Sequence, residues 1–299
     1  MTTIEGIQEA VGSVAGTVGR SVVGVAGRRS AGSGVVVAPG RVLTNAHNLW
    51  RGPEEGVTIT FADGRTADAK PLGIDADADV AVLEVDTGDA PVIAWNGAAA
   101  TSIGAPVFAV ANPGGRGLRV TFGLVSGTQA SFRGPRGRRI AGSIEHTAPL
   151  LPGSSGGPVV DGDGHLVGIN THRLGEGFYL AIPADDALKR RVETLSKGET
   201  PKRVKLGVAI APSEVAKKLR RAVGLPEAEG LLVRGVEEGS AAAAAGLKEG
   251  DLITTAAGKD LRNADDLYAA LDEAASSGAL ALSVLRGAEE LTVNVEFKD

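Results

Sequence analysis

The sequence has no cysteine, few aromatic residues, no long apolar run and no surplus of positive charge. The absence of cysteine excludes disulfide frameworks, cysteine-ligated zinc, iron–sulfur clusters and thiol nucleophiles. Aromatics make up only 3% of the chain, so a core must be assembled from Val, Leu, Ile and Ala. No stretch approaches the ~18 uninterrupted apolar residues of a transmembrane helix. With 31 Lys and Arg against 36 Asp and Glu, the net charge of -5 gives no general attraction to nucleic acid or to an anionic membrane. The first residues lack a basic region and carry Glu5 and Glu9, which does not fit a secretory signal. A cytoplasmic protein is expected; the alternative is a periplasmic or extracellular one whose export signal has been removed.

Glycine, by contrast, is abundant: 43 residues, about twice the usual ~7% share. Hydrophobic content of 43% and charged content of 22% are those of a globular protein, and 299 residues suit two domains. Ile4, Ile7, Val11, Val14 and Val18 recur at helical spacing, which predicts a short helix within segment 1–19, lying on a domain surface. From residue 20 onward short β-like runs alternate with Gly- and Pro-rich turns, among them GSGVVVAPGRVLTNAH, DVAVLEVD, APVFAVANPGG and GPVVDGDGHLVGINT. Many short strands at close spacing predict a β sandwich or barrel. After Pro183 the pattern changes. ADDALKRRVETL reads as a helix, SKGETPKR as a polar linker, and the last 95 or so residues mix strands with two helices, SEVAKKLRRAVGL and NADDLYAALDEAASSG. The run AAAAAG at 241–246 reads as one helical turn.

Chemistry concentrates in three places. Gly153-Ser154-Ser155-Gly156-Gly157-Pro158 puts a serine in a Gly-rich turn, where backbone N–H groups can face a developing oxyanion. Thr44-Asn45-Ala46-His47 ends an apolar strand and places an imidazole at its terminus. Asp79 opens the apolar run VAVLEV, where a carboxylate is costly without a partner. A serine nucleophile needs a base, and the base needs a carboxylate to fix its tautomer. The chain order His47, Asp79, Ser155 is that of chymotrypsin and differs from those of subtilisin and the α/β-hydrolases.

With TNAH, DVAVLEV, VANPGG, GLVSG, GSSGGPVVDGDGHLVGINT and GFYLAIP in this order, the chain resembles the HtrA (DegP-like) branch of chymotrypsin-fold serine proteases. The segments KLGVAI, GLLVRGVEEGSAAAAAGLKEGDLITTAAGKDLRNADDLYAAL and LSVLRGAEELTVNVEF resemble the PDZ domain that follows the protease in that family. The resemblance implies a mostly β chain: a chymotrypsin-like double β-barrel at 20–196, a linker at 197–203 and an α+β PDZ domain at 204–299. It implies His47 as general base, Asp79 as its carboxylate, Ser155 as nucleophile, and the N–H groups of Gly153 and Ser155 as oxyanion hole. It places Pro149 at the base of the primary specificity pocket with Asn170, Thr171 and His172 as its wall, hence cleavage after small or medium aliphatic residues. Ser154 stands where zymogen-activated relatives carry an Asp, so activation is expected to proceed by loop ordering, with 131–142 as regulatory loop and Gly153 free to flip its peptide. In the second domain it implies a carboxylate-binding loop at Leu206, Gly207 and Val208, a peptide-pairing strand through Ala209 and Ile210, and a groove wall carrying Leu267, Ala270 and Leu271. For Leu271 a plain core position is an equal reading. The sequence departs from the family at Val204, where a Gly is usual, at Ser154, and at His146-Thr147-Ala148, where Thr-Asp-Ala is usual. A homotrimer is implied by the resemblance alone, since the N-terminal segment lacks the aromatic residues that pack one.

Other features have plainer readings. His165 in DGDGH is a turn residue rather than a metal ligand, and His146 a strand residue rather than a pocket residue. Arg133, Arg136, Arg138 and Arg139 form a solvated basic loop, with only Phe132 as an aromatic neighbour. Asn112-Pro113-Gly114-Gly115 lacks the Gly-Lys-Ser/Thr ending of a phosphate loop. The expected function is an ATP-independent serine endopeptidase that cleaves unfolded or damaged proteins through an acyl-enzyme, without cofactor or metal, with a PDZ domain that binds C-terminal peptides and regulates activity. The alternative is a non-proteolytic chaperone or peptide-binding adaptor that keeps the fold.

Overall fold

The computed structural model describes residues 3–27, 30–49, 56–95, 102–134, 139–199 and 204–297. Arg136 and Arg138 of the basic segment and positions 200–203 of the expected linker lie outside these residues. The chain forms two compact units, Met1–Pro201 and Lys202–Asp299. Among the described residues no helix is long and apolar enough to cross a membrane.

The first unit opens with helix α1 (Thr3–Val18). Its apolar stripe divides along its length: Val14 and Val18 are buried in the core, whereas Ile4 and Ile7 are exposed. Six strands follow: β1 (Val22–Gly27), β2 (Ser30–Ala38), β3 (Arg41–Thr44), β4 (Val57–Thr60), β5 (Thr66–Asp75) and β6 (Val80–Glu84). They close into a barrel in the order β1-β2-β3-β6-β5-β4. A second set, β7 (Pro106–Ala111), β8 (Arg119–Arg133), β9 (Arg139–His146), β10 (Pro158–Val160), β11 (Leu166–Gly175) and β12 (Phe178–Pro183), closes as β10-β11-β12-β9-β8-β7. Helix α2 (Asp186–Ser196) ends the unit, its first turn capped by the Asp185 carboxylate, which accepts the Leu188 N–H.

Period-two alternation explains how so few aromatics fill this unit. In β1, Val23 and Val25 join one cluster with Val42, Ile59 and Leu83, while Val22 joins another with Leu43, Val82, Phe108 and Leu180. Val107, Val125, Ile144, Val159 and Ala181 form a third. Strands β1, β2, β3 and β6 thus bury both faces, one set with their own barrel and one in the cluster that both barrels and both helices share, whereas β4 and β5 join only the first barrel's cluster. The basic segment expected as a loop is in large part strand: Ser131–Arg133 belongs to β8 and Arg139–Gly142 to β9.

Close approach of the two barrels depends on glycine. The 3₁₀ turn Pro113–Gly115 after β7 packs onto β1, and a Cβ on Gly24 would sit 2.0 Å from the Gly115 nitrogen. The second unit is an antiparallel sheet of β13 (Val208–Ala211), β14 (Leu231–Val236), β15 (Leu252–Ala256), β16 (Lys259–Asp260), β17 (Ala279–Arg286) and β18 (Glu289–Glu296). Its order is β13-β14-β15-β17-β18, with β16 paired to β15. Its helices are α3 (Ser213–Ala222), the single turn α4 (Ala241–Ala244) and α5 (Ala264–Ser277). The α5 start carries a capping box in which the Asn263 side chain accepts the Asp266 N–H and the Asp266 carboxylate accepts the Asn263 N–H in return. Leu206, Leu231, Ile253, Leu267, Leu282 and Val295 anchor its core.

Candidate active site

His47 sits in the 3₁₀ turn Ala46–Leu49, immediately past β3. Asp79 ends the tight turn before β6 and holds a left-handed backbone, φ 56°, uncommon for a residue other than glycine. The turn is tied down on both sides. The Asp75 carboxylate accepts the N–H groups of Asp77 and Ala78, and the Asn45 side-chain amide donates to the Asp79 carbonyl at 2.9 Å.

The Asp79 carboxylate is 1% exposed and accepts three kinds of donor. His47 Nδ1 lies 2.8 Å from Oδ2 and 3.0 Å from Oδ1. The His47 backbone N–H donates to Oδ1 at 3.0 Å, and the Thr171 hydroxyl donates to Oδ2 at 2.6 Å. An ionised carboxylate only accepts, so Nδ1 carries the hydrogen and Nε2 keeps its lone pair on a ring that is one-third exposed. That is the tautomer a general base requires.

Ser155 occupies the loop between β9 and β10. Its Oγ donates to the Thr171 carbonyl at 3.0 Å, and among the described residues this is its one hydrogen bond. The Thr171 side chain therefore holds the Asp79 carboxylate while its backbone carbonyl holds the Ser155 hydroxyl. The Ser155 carbonyl accepts the Ser33 N–H at 2.8 Å and the Asn48 side-chain amide at 3.0 Å. Gly153 has φ 89° and Gly156 φ 88°; a Cβ on Gly156 would lie 2.1 Å from the Ser33 carbonyl oxygen. No hydrogen bond to the N–H of Gly153 or Ser155 occurs among the described residues, whereas the Ser154 N–H donates to Leu151 and the Gly156 N–H to Asn170.

The residues expected to form a pocket divide. Pro149 is exposed, and its carbonyl accepts the Thr121 hydroxyl at 2.8 Å. His172 stacks on Phe132 with ring centroids 5.4 Å apart. Asn170 and Thr171, expected in the wall, instead commit their buried side chains to the scaffold. The Asn170 amide donates to the carbonyls of Gly157 and Pro158 and accepts from His146 Nε2 at 3.0 Å. His146 is fully buried, stacks on Tyr179, and leaves Nδ1 without a partner among the described residues. Burial pushes its pKa down to about 4, partly offset by the bond to Asn170. The roles of Thr171 and Ser33 escape sequence reading, because both depend on contacts that close only when distant strands meet.

Asp161, Asp163 and His165 bring three ligand atoms within 4.8 Å of one another. The turn closes on itself, with Asp161 Oδ1 accepting the N–H groups of Asp163 and His165 and Oδ2 lying 3.3 Å from His165 Nδ1. In the second unit Leu206 is buried, Gly207 has φ 78°, and β13 forms an edge of the sheet. Ala209 is exposed on that strand, while Val208 and Ile210 are partly buried against the core. Leu267, Ala270 and Leu271 are buried core residues. Val204, at the usual glycine position, packs against the same core.

A trypsin-like peptidase domain matches residues 32–169, and a PDZ domain matches residues 232–286. Serine protease HTRA2, mitochondrial, of Drosophila sechellia is 31% identical over 286 residues, covering 90% of this chain and 67% of that protein. The chain belongs to the HtrA family. A probable periplasmic serine endoprotease, DegP-like, of Halomonas elongata is also 31% identical, over 278 residues, and the chain covers 57% of it and 91% of itself. The chain spans about two thirds of the length of the fly HtrA proteins it matches. Among solved structures, the HtrA-type protease AlgW with a tripeptide superposes with a TM-score of 0.71 at 29% identity, covering 96% of each chain. The two barrels and the following sheet are thus the chymotrypsin-like double barrel and the PDZ domain of an HtrA-family chain.

Proposed function

We propose that this HtrA chain hydrolyses peptide bonds of unfolded or damaged proteins by way of an acyl-enzyme, without ATP. The carrying observation is the pairing of a buried Asp79 with His47 Nδ1, joined through Thr171 to Ser155, whose loop has no partner for the Gly153 and Ser155 N–H groups among the described residues. His47 Nε2 takes the Ser155 proton as Oγ attacks the scissile carbonyl. The N–H groups of Gly153 and Ser155 bind the oxyanion, and the imidazolium returns the proton to the leaving amine. Water, deprotonated by the same His47, then releases the acyl group. The bond from Ser155 Oγ to the Thr171 carbonyl supports a resting arrangement, left by rotation about χ1.

The bare β13 edge next to Gly207 supports capture of an extended peptide with an apolar C-terminal residue, by strand addition, as regulator or substrate anchor. The test is digestion of unfolded casein by wild type and Ser155→Ala, each with and without an apolar-ended peptide, together with a phosphonate probe. Wild type is expected to digest casein and take the label, with stimulation by peptide, and Ser155→Ala to lose about 10⁴-fold or more in kcat. Digestion and labelling by neither, with both keeping a client from aggregating, would mark the fold as a chaperone instead.

A further inference from the structure

Ser33 is a fully buried residue of β2, and its side chain does more than fill space. Its Oγ donates to the Gly153 carbonyl at 2.9 Å and accepts the N–H of Asn112 at 3.0 Å. The hydroxyl is thus the joint of three segments: β2 of the first barrel, the turn after β7 of the second, and the nucleophile loop. The main chain of Ser33 works to the same end. Its N–H holds the Ser155 carbonyl, and its carbonyl accepts the Thr44 hydroxyl at 2.7 Å, which in turn receives Asn48 Nδ2 at 3.0 Å.

These bonds fix peptide planes rather than atoms. In a trans peptide the N–H points opposite to the C=O of the preceding residue. The Ser154 carbonyl is held by the Gly157 N–H at 3.0 Å, which turns the Ser155 N–H the other way. The Gly153 carbonyl, held by the Ser33 hydroxyl, anchors the plane that follows Gly153. With that plane fixed, the torsions of Gly153 itself set where the Gly153 N–H points. Space around Gly153 is closed as well: a Cβ there would meet Pro113 Cβ at 3.0 Å and the Ala31 oxygen at 3.4 Å.

We propose that the Ser33 hydroxyl is a positioning residue for the oxyanion hole, orienting the Gly153 N–H through the Gly153 carbonyl without touching substrate. The proposal rests on the protease reading above. Ser33→Ala removes the joint and leaves the Gly153 carbonyl and the Asn112 N–H without this partner. Ser33→Cys keeps a weak donor and acceptor on the same stem.

The test measures peptide-amide hydrolysis across pH, labelling by a phosphonate, thermal unfolding, and hydrogen–deuterium exchange across residues 150–158, for wild type, Ser33→Ala and Ser33→Cys. The expected result for Ser33→Ala is a fall in kcat of about 10- to 100-fold with KM little changed. The labelling rate falls in parallel, the pH profile keeps its limbs, and exchange in 150–158 rises, with Ser33→Cys intermediate. If Ser33→Ala does not fold, Ser33→Cys carries the same comparison against wild type. A loss of melting temperature with kcat and exchange in 150–158 unchanged would overturn the proposal, as would a displaced pH limb, which would place the effect on the His47–Asp79 pair. Should wild type prove inactive, raised exchange confined to 150–158 in the variants would keep the positioning role while the protease reading fell. Unchanged exchange would sink both.

Discussion

His146 is a histidine kept neutral by its surroundings. Its ring is wholly buried, one nitrogen bonded to Asn170 and the other facing no partner among the described residues, and its pKa is lowered to about 4. An unfolded chain takes up this proton near pH 6.5, the folded one only near pH 4, so between these values the unfolded state binds more protons and stability falls as the pH falls. The full effect is about 3 kcal/mol. The difference in unfolding free energy between wild type and His146→Gln, followed by urea denaturation from pH 7 to pH 4, should move against wild type by that order. Parallel profiles would show that His146 does not titrate differently in the fold. At this scale the sequence was legible where a side chain's chemistry is its own advertisement. A serine among glycines, a histidine at a strand end and an aspartate opening an apolar run each stand out. Ser33, Thr171 and Asn170 do not, because a small polar residue in a strand looks the same whether it braces a catalytic loop or caps a neighbour.

At the scale of elements, glycines divide by what surrounds them. Gly12 lies in α1, where an added Cβ would find nothing within 4 Å, so Gly12→Ala should stabilise the first unit by about 0.5–1 kcal/mol through backbone entropy alone. Gly24 lies in β1 against the Pro113–Gly115 turn, and Gly24→Ala must push the barrels' contact apart, costing about 3 kcal/mol or more. Because that turn follows the Asn112 N–H bonded to Ser33, peptide hydrolysis should fall along with the melting temperature in Gly24→Ala and be untouched in Gly12→Ala. Thermal melts and a peptide assay on the two variants check both signs. Strand existence was readable from apolar alternation and turn residues, as were α2, α3 and α5 from their periodicity and caps. Strand length was not: β8 and β9 extend into the Gly- and Arg-rich segment from either side, as far as Arg133 and Arg139, because each gains its pairing from the other rather than from its own composition. The N-terminal helix was legible too, but not that only its last turns would be buried.

On the scale of the molecule, each unit has its own core, one shared by two barrels and two helices, the other wrapped by a five-strand path. Leu282 is fully buried in the second, so Leu282→Ala should cost about 2–5 kcal/mol there. Calorimetry should show the transition that reports on residues 204–297 shifted downward, while casein digestion without added peptide persists below it. Two domains and their order were plain from the sequence, since composition and motif both change near residue 200. The barrels' closure carries a consequence for a protein expected to live among unfolded chains. A closed barrel offers no unpaired strand on which a foreign segment could template, so twelve strands of the first unit are withdrawn from that hazard. The terminal strands of the remaining sheet are β13 and β18, and they are unlike. The strand β18 is guarded by Glu289, Glu290 and Glu296, all exposed, whereas VAIA of β13 carries no charge at all. The short β16, paired to β15 alone, carries Lys259 and Asp260, so among the described residues the adhesive margin left uncharged is the four-residue β13.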